Sequence, residues 1–380
     1  MAHVKHFGRF VFIKIVVVVL LQGCSAHLRK FTPTTTLANV DELISEHKMT
    51  TARAAHTATK LPNGQVLLTG GFADGEVALG NAELFDPEAR AFSPVTDMTA
   101  ARQSHTATLL PDGKVLIAGG YNGDYLDSAE LYNRATNRFS PTGAMLTARS
   151  GQVAVLLQDG KVLLAGGTGV GWHFLDSAEI YDPVSRTFSP SGNMGAPRES
   201  HTATLLHNGQ VLITGGHGGR RADMTVYASA ELYDPASKRF APTGSMQVKR
   251  HKHDATLLVD GRVLITGGAD ERDRQGAYRS TEIYDPATGV FTLAASMHAA
   301  RYKHTGTSLL LDNGQVLLVG GASTGEIYEP QKDAFSEIKS SPGITRFFAT
   351  ATLLTNGEVL LAGGYGTNIA SDAQAWLFRP

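Results

Sequence analysis

Short apolar segments recur along the chain, each bounded by turn residues. In one unit, His105 to Leu110 is followed by Asp112-Gly113, and Lys114 to Ala118 is almost wholly apolar. A short apolar run between turn residues is typical of a strand covered on both faces. Asp-Gly predicts a two-residue type I′ turn, since that geometry needs positive φ at both positions. The two segments therefore predict an antiparallel hairpin.

The same unit continues with two further segments that predict strands. Ala129 to Tyr132 is the third. Phe139 to Met145 contains Pro141, which a strand tolerates only at a sheet edge, so this segment predicts the outermost strand. One unit therefore predicts one four-stranded antiparallel sheet.

The unit occurs seven times. Gly-Gly pairs mark the copies and begin at residues 70, 119, 166, 215, 267, 320 and 363, an average step of about 49 residues. Sheets repeated at such a period close radially, because each sheet then buries its faces against its neighbours. The fold class predicted is all-β, a seven-bladed β-propeller.

These motifs resemble kelch repeats. The resemblance rests on the double glycines, on Tyr181-Asp182-Pro183 and Tyr233-Asp234-Pro235, and on a bulky aromatic further on, where Phe replaces the usual Trp. The resemblance covers residues 51–380 and implies a kelch-type propeller, a fold whose members bind ligands with the loops of one face. Together with the pattern at the N-terminus, it identifies the chain as similar to bacterial kelch-repeat lipoproteins.

The two ends of the chain predict a closed ring. The seventh unit ends after its third strand, at Phe378-Arg-Pro380. Phe31 to Thr34 matches Phe139 to Thr142, so we expect the N-terminal segment to complete the last blade, as is typical of the resembled family. Between it and blade 1, apolar residues at helical spacing predict a short helix ending near Met49; they are Leu37, Val40, Leu43 and Ile44.

The N-terminus has the pattern of an export signal. Basic residues precede the apolar run from Ile15 to Leu21, which is too short to span a bilayer. Leu21-Gln-Gly-Cys24 resembles the lipobox of bacterial lipoproteins, and Ser25 favours the outer membrane. We predict a signal peptide over 1–23, an anchor linker with the closing strand and helix over 24–50, and the propeller over 51–380. An ordinary signal peptide with a chance cysteine is the alternative.

Composition narrows the function. The formal net charge is −1, so nothing global suggests nucleic acid as a partner, and the single cysteine excludes an intrachain disulfide. We expect a monomer without a cofactor, attached to the membrane through lipidated Cys24. Because the closing strand begins on the bottom face and a short linker precedes it, we also expect that face to lie against the membrane.

Strand order assigns residues to faces. The Arg-x-x-His segments and the loops after Gly-Gly share the top face, and the Asp-Gly and Asp-Pro turns share the bottom. The arginine occurs in all seven units, at 53, 102, 149, 198, 250, 301 and 346, and a histidine follows three residues later in five of them. A regular glutamate series could neutralise these arginines as scaffold. Arginines at this position line the ligand face in animal kelch adaptors, so Arg198, Arg250, Arg301 and His253 are kept as candidate ligand contacts.

The unequal top loops carry the other candidates. The loops over 217–229 and 269–280 are long and rich in arginine, and blade 3 offers an aromatic. Binding residues concentrate on such loops. The candidates are His217, Arg221, Arg272 and Trp172, which suit an acidic glycan, sugar acid or peptide. The histidines of the Arg-x-x-His segments lie on a circle around the channel that is too wide for all of them to reach one metal ion, so no metal site is predicted.

The sequence favours a binding module over an enzyme. It contains no G-x-S-x-G elbow. Copper radical oxidases resembling galactose oxidase need a cysteine within the propeller, and the only one is Cys24. The alternative is chemistry like that of bacterial sialic acid mutarotases, with Glu271 or Glu199 as the acid–base group, although those enzymes have six blades. The predicted function is therefore an envelope-anchored module that binds a protein partner or an acidic ligand.

Overall fold

The structure is a computed structural model and describes residues 42–338 and 345–380. It contains seven four-stranded antiparallel sheets. The innermost strands of consecutive sheets contact one another, and that of blade 7 contacts that of blade 1, so the sheets form a closed ring. The prediction of an all-β, seven-bladed propeller is confirmed. Among the described residues, no helix is long and apolar enough to cross a membrane.

The blades follow one another along the chain, and the strands of each are ordered from the central channel outward. Blade 1 is Thr57–Lys60, Val66–Thr69, Ala82–Asp86 and Ala91–Pro94. Blade 2 is Thr106–Leu109, Val115–Ala118, Ala129–Asn133 and Arg138–Pro141. Blade 3 is Val153–Leu156, Val162–Ala165, Ser177–Asp182 and Thr187–Asn193. Blade 4 is Thr202–Leu205, Val211–Thr214, Ala230–Asp234 and Arg239–Pro242.

The remaining blades keep this order. Blade 5 is Asp254–Leu257, Val263–Thr266, Thr281–Asp285 and Val290–Ala294. Blade 6 is Ser308–Leu310, Val316–Leu318, Gly325–Glu329 and Ala334–Ile338. Blade 7 is Thr350–Leu353, Val359–Ala362, Gln374–Arg379 and the N-terminal strand Glu42–Lys48.

Short elements lie in the loops after Gly-Gly. Three are two-stranded ribbons, formed by Phe72–Ala73 with Val77–Ala78, Thr168–Gly169 with His173–Phe174, and His217–Gly218 with Thr225–Val226. The 3₁₀ helices are Asp74–Glu76, Val170–Trp172, Arg221–Asp223 and Asp273–Gly276. These loops differ from blade to blade while the sheets below them do not.

The N-terminus closes the ring, but with a different segment from the one predicted. Glu42–Lys48 pairs antiparallel with Gln374–Arg379 and is the outer strand of blade 7. The helix predicted to end near Met49 is wrong over these residues, because the unpaired edge of blade 7 provides hydrogen-bonding partners that outweigh a weak helical spacing. Phe31 to Thr34 lies outside the described residues.

This correction also removes one argument about orientation. Residues 25–41 separate Cys24 from the closing strand, and such a segment reaches roughly 60 Å when fully extended. The linker between Cys24 and the closing strand is therefore not short, and its length no longer supports one orientation of the propeller. That the bottom face lies against the membrane remains a prediction.

The hairpin between the first two strands has a different turn from the one predicted. Gly113 has a φ of +79°, but Asp112 is not in the left-handed region. The Gly113 N–H donates to the Leu110 carbonyl at 2.9 Å, and the Leu110 N–H to the Lys114 carbonyl at 2.8 Å. The loop is therefore a three-residue turn that ends in a left-handed glycine, a geometry for which Pro111 supplies the fixed φ of the second position.

Seven hydrophobic clusters of the described residues each lie between two neighbouring blades rather than inside one. Leu67 and Leu84 of blade 1 pack with Val115, Ile117 and Tyr132 of blade 2. The second strands are buried on both faces, which explains why they lack alternation of apolar and polar residues. A sheet without its neighbours would leave both faces exposed, so the blades are stable only as a ring.

A buried arginine joins each blade to the one before it. In blade 2, Arg102 donates from Nη1 to the Gly119 carbonyl at 2.6 Å and from Nη2 to Glu130 at 2.8 Å. Its own carbonyl accepts the N–H of Gly71, in blade 1, at 2.9 Å. All seven arginine carbonyls accept the N–H of the second glycine of a Gly-Gly pair, at 2.8–2.9 Å. The arginine and the double glycine are therefore two halves of one junction.

The glutamate partner also holds the crossing segment. Glu130 accepts the N–H of Thr99, which lies between the outer strand of blade 1 and the inner strand of blade 2, at 2.7 Å. In six blades the arginine and glutamate form an ion pair at 2.8–2.9 Å; the glutamates are at positions 83, 130, 179, 231, 282 and 326. The scaffold interpretation of the glutamate series is the one that this geometry supports.

Blade 7 departs from this arrangement. Trp376 occupies the register position that the glutamate holds elsewhere, opposite Leu361. The guanidinium of Arg346 lies over the Trp376 ring, 5.0 Å from its centroid, and pairs with Asp372. A cation–π contact and a neighbouring carboxylate therefore replace the buried glutamate at the blade that the N-terminus completes.

The glycines are required by close approach. Gly70 has a φ of +57°, and a Cβ there would lie 2.4 Å from the Arg102 carbonyl oxygen and 2.8 Å from Cε1 of His105. A side chain is excluded by both strain and volume. The interpretation of the pairs as backbone requirements agrees with this geometry.

The histidine series fills the next contact between blades. Nε2 of His105 lies 3.0 Å from Oγ1 of Thr69 in the preceding blade, and His253 and Thr214 repeat the pair at 2.9 Å. In blade 3, Gln152 replaces histidine and donates to the Ala118 carbonyl at 2.9 Å. Burial, with help from Arg102, lowers the pKa of His105 to about 3, so the ring is neutral in the folded protein.

We predict that acid destabilises the propeller through these histidines. A histidine whose folded pKa lies below its unfolded value of about 6.5 stabilises the fold above that pH, and the contribution is lost as pH falls toward the folded pKa. His105→Gln, which copies blade 3, should reduce the loss of unfolding free energy between about pH 7.5 and about pH 5.5 by about 1.4 kcal/mol. Denaturant titration at both values measures it.

The control is His207→Gln, in an exposed bottom turn. If both substitutions changed the pH dependence of stability equally, the loss of stability in acid could not be assigned to the buried histidines between the blades.

We also predict that the ring depends on Glu42–Lys48. Deleting these residues leaves the edge of Gln374–Arg379 unpaired and should lower the thermal unfolding midpoint by about 5 °C or more. Deleting Phe31 to Thr34 should leave the midpoint unchanged, because blade 7 is already complete. Circular dichroism melting curves compare the two, and the reverse ranking would restore the sequence-based assignment.

Candidate functional site

The mouth of the central channel is built by the residue two positions after each arginine. This residue has positive φ in all seven blades, between +49° and +67°; the residues are Ala55, Ser104, Gly151, Ser200, Lys252, Lys303 and Phe348. Its backbone N–H donates to the carbonyl of the equivalent residue in the preceding blade at six of the seven junctions, at 2.9–3.2 Å. These bonds hold the backbone in a ring, and only the side chains vary.

The variation places two cations side by side. Blades 1 to 4 have small residues at this position, whereas blades 5 and 6 have Lys252 and Lys303. Asp273, from the blade 5 loop, lies between them, 2.9 Å from Nζ of Lys252 and 3.5 Å from Nζ of Lys303. One carboxylate therefore faces two ammonium groups.

Burial sets the electrostatics of this group. It lowers the pKa of Lys252, although Asp273 raises it in part. Burial also raises the pKa of Asp273, but Lys252 and Lys303 outweigh it, so the net pKa lies below the ordinary value. The ammonium of Lys303 is 3.0 Å from the Tyr365 hydroxyl and lies over the rings of Phe348 and Tyr365. Aromatic rings therefore support Lys303, and both lysines share the carboxylate of Asp273, while Glu199 also attracts Lys252.

Of these residues, Lys252, Asp273 and Phe348 border a cavity of about 600 Å³ at the channel mouth. Its lining combines the residues after the arginines with the loops after Gly-Gly, which confirms that the two share one face; among them are Trp172, Glu199, His217, Arg220, Arg221, Lys252, Glu271 and Asp273. On the bottom face, the turns at Asp260 and at Asn313-Gly314 border a different groove with Pro330.

An aromatic wall is built around Trp172, which lines the cavity. Trp172 is half exposed, and Tyr121 and Tyr125 lie against it with ring centroids 6.3 and 5.7 Å away. The guanidinium of Arg220, from the blade 4 loop, lies 3.5 Å from the centroid of Trp172. Loops of three consecutive blades thus combine to form this wall.

Glu199 and two histidines also line the cavity. Oε2 of Glu199 accepts the Thr168 hydroxyl at 2.7 Å, and a Cβ on Gly151 would lie 2.8 Å from Oε1, so glycine makes room for this carboxyl group. Burial raises the pKa of Glu199. Burial lowers the pKa of His217 to about 4 and that of His251 to about 3, and their rings are 4.9 Å apart.

The structure separates the predicted site residues into two groups. Arg198, Arg250 and Arg301 are at most 1% exposed and lie in the blade junctions, paired with glutamates, and His253 is fully buried against Thr202 and Thr214. Their place is in the scaffold, because a ligand in the channel cannot reach a buried guanidinium. His217, Trp172 and Arg221 line the cavity. Arg272 is exposed and pairs with Asp270.

Sequence reasoning missed Lys252, Lys303 and Asp273. The signal was the variable residue inside the Arg-x-x-His segment, which is charged only in blades 5 and 6. The arginine that recurs in all seven units is the more conspicuous feature of this segment. Asp273 had no sequence signal, since only the path of its loop brings it to the lysines.

No group of three or more His, Cys, Asp or Glu side chains that could hold a metal ion occurs within residues 42–338 and 345–380. That the protein works without a metal or a cofactor stays a prediction.

The fold and the repeated junction define a kelch-type propeller. The family model described as the KLHDC2/KLHL20/DRC7 Kelch-repeats domain matches residues 104–321, more than half of the chain. The chain therefore belongs to the kelch-repeat β-propeller family.

Two similar proteins illustrate the range of this architecture. Kelch-like protein 34 of Homo sapiens is 29% identical over 131 residues, which are 33% of this chain and 20% of that protein. The matched segment thus spans about a fifth of the relative. A solved structure, a novel fungal alcohol oxidase with catalytic diversity among the AA5 family in complex with copper, aligns with a TM-score of 0.72 and 16% identity over 90% of this chain and 77% of its own. At that identity the likeness concerns the fold alone.

Proposed function

We propose that this protein is a binding module that recognises a carboxylate-bearing partner at the top-face cavity. The observation that carries the proposal is the pair Lys252 and Lys303, adjacent in the ring and sharing the carboxylate of Asp273. Partly buried ammonium groups are costly without counter-charges, so a second anion is attracted to this position.

The rest of the cavity supports a partner with an apolar or ring-shaped part. Trp172 offers a half-exposed indole in the cavity lining, and Arg220 and Arg221 add positive charge beside it. An aromatic surface with nearby cations suits both an acidic peptide and a sugar acid. Kelch propellers typically bind protein partners, which favours a peptide segment of a protein as the source of the carboxylate.

The ligand chemistry can be tested with matched acids and amides. We predict that an N-acetylated, C-terminally amidated Gly-Glu-Gly tripeptide or glucuronic acid binds the purified protein, and that the equally blocked Gln tripeptide and glucuronamide do not. Lys252→Met and Lys303→Met should each weaken acid binding about tenfold, because each removes one ammonium from the pair. Isothermal titration calorimetry at low ionic strength measures it.

The matched control is Lys161→Met, since Lys161 lies beside Asp159 and Asp182 in the bottom turns. Equal binding of acids and amides, or an equal loss in all three lysine variants, would rule out the proposed site.

Sugar-acid mutarotase or epimerase chemistry is a second candidate, favoured by one observation. Glu199 lies at the cavity with a raised pKa, as a general acid–base group requires, and Lys252 has a lowered one. Glu271, the other candidate, pairs with Lys249 and has a lowered pKa. Faster exchange of glucuronic acid anomers by NMR, lost in Glu199→Gln, would support an enzyme; an unchanged rate would leave binding alone.

We also propose that Cys24 anchors the module in the bacterial envelope, at the outer membrane. The lipobox resemblance supports this proposal. Cys24→Ser should release the protein from the membrane fraction and abolish incorporation of labelled palmitate, while leaving the thermal midpoint unchanged. Membrane fractionation of cells expressing each form tests it, and retention of the serine variant in the membrane would contradict the anchor.

A further inference from the structure

The blade 5 loop delivers a carboxylate to the lysine pair at some cost in backbone strain. Asp273 begins the 3₁₀ helix Asp273–Gly276 with a φ of +56°, a conformation that residues other than glycine rarely adopt. The residue five positions after the second glycine also has positive φ in the loops of blades 1, 3, 4 and 7, so this conformation is a shared feature of these loops and fixes where the side chain of Asp273 begins.

Contacts within the loop impose this conformation. The Asp270 N–H donates to the Gly276 carbonyl, and Asp270 accepts the backbone N–H and the guanidinium of Arg272. A Cβ on Gly276 would lie 1.6 Å from Oδ1 of Asp270, so only glycine allows the loop to fold back so tightly. Nε2 of His251 fastens the base of the loop through the Asp270 carbonyl at 3.1 Å. The backbone that carries Asp273 is therefore preorganised.

The side chain of Asp273 is less constrained than its backbone. Its contacts are with Lys252 and Lys303, while Nε2 of His251 lies 4.0 Å away. The side chain is 36% exposed and borders the cavity. A rotation about its own bonds therefore releases both lysines without moving the loop.

We infer that Asp273 is an internal substitute for the ligand, and that its carboxylate occupies the position between Lys252 and Lys303 that the ligand's carboxylate takes. This inference rests on the proposed function. The blade 5 loop thereby sets a threshold for binding, because an incoming acid must replace a tethered carboxylate on the same two ammonium groups. Weak or neutral ligands fail to displace it, and acids bind only when the rest of the cavity contributes.

The test removes the competing charge while keeping the loop. Asp273→Asn keeps the shape of the side chain, and Asp273→Gly removes it while accepting the positive φ. The probes are the acetylated and C-terminally amidated Gly-Glu-Gly tripeptide and glucuronic acid, titrated into wild type and variants by calorimetry. Both substitutions should raise the affinity for at least one acid about tenfold, and neither should create affinity for the matched amides.

The control is Asp223→Asn, which removes the same charge from the neighbouring blade 4 loop, at an exposed residue outside the cavity lining. Its acid affinity should stay within about twofold of wild type. An equal gain in Asp223→Asn would overturn the inference in favour of a general effect of loop charge.

Two further outcomes separate the inference from the proposed function. Acid binding that is unchanged or weaker in both Asp273 variants, but lost in Lys252→Met, overturns the inference and makes Asp273 a positioning residue, with the binding site intact. If no form of the protein, including both Asp273 variants, binds either acid, the inference and the proposed function both fail. Thermal melting of each variant verifies folding.

Discussion

The buried arginine at each blade junction is the interaction on which the rest of the structure depends. Its side chain binds its own blade, through a Gly-Gly carbonyl and a glutamate, and its carbonyl binds the second glycine of the preceding blade. Replacing such an ion pair with apolar groups can be neutral, but removing one partner strands a buried charge at a cost of about 3–5 kcal/mol. Arginine, glutamate and double glycine must therefore be kept together, which explains their joint recurrence.

The same junction separates the scaffold from the site. The arginine and the histidine three residues later point into the contacts between blades, while the residue between them, at positive φ, is held on the channel by the ring of backbone hydrogen bonds. The junction places no demand on its side chain, so it can be alanine, serine, glycine, lysine or phenylalanine. Lys252 and Lys303 take advantage of that freedom, and the neighbouring loops supply Asp273, Trp172 and Arg220.

Blade 7 shows how the repeat adapts at the point of closure. Trp376 replaces the glutamate, and Arg346 keeps its place through Asp372 and the indole ring. Glu358 of this blade pairs with Arg90 of blade 1, so an ion pair joins the last blade of the ring to the first. The charge partners changed, while the backbone bond from Gly364 to the Arg53 carbonyl remained at 2.9 Å.

By itself the sequence determined the number of blades, the order of strands within them and the face on which the loops meet, because these follow from a period and a strand pattern that each copy repeats. The sequence also allowed the interpretation that the arginines belong to the scaffold, because a glutamate series recurs with them. Tertiary structure alone decided the closing strand, since an unpaired sheet edge selected Glu42–Lys48 over a sequence match at Phe31. It alone decided the site, because Lys252, Lys303 and Asp273 come from different segments, and a three-dimensional ring was needed to place both ammonium groups within 4 Å of the Asp273 carboxylate.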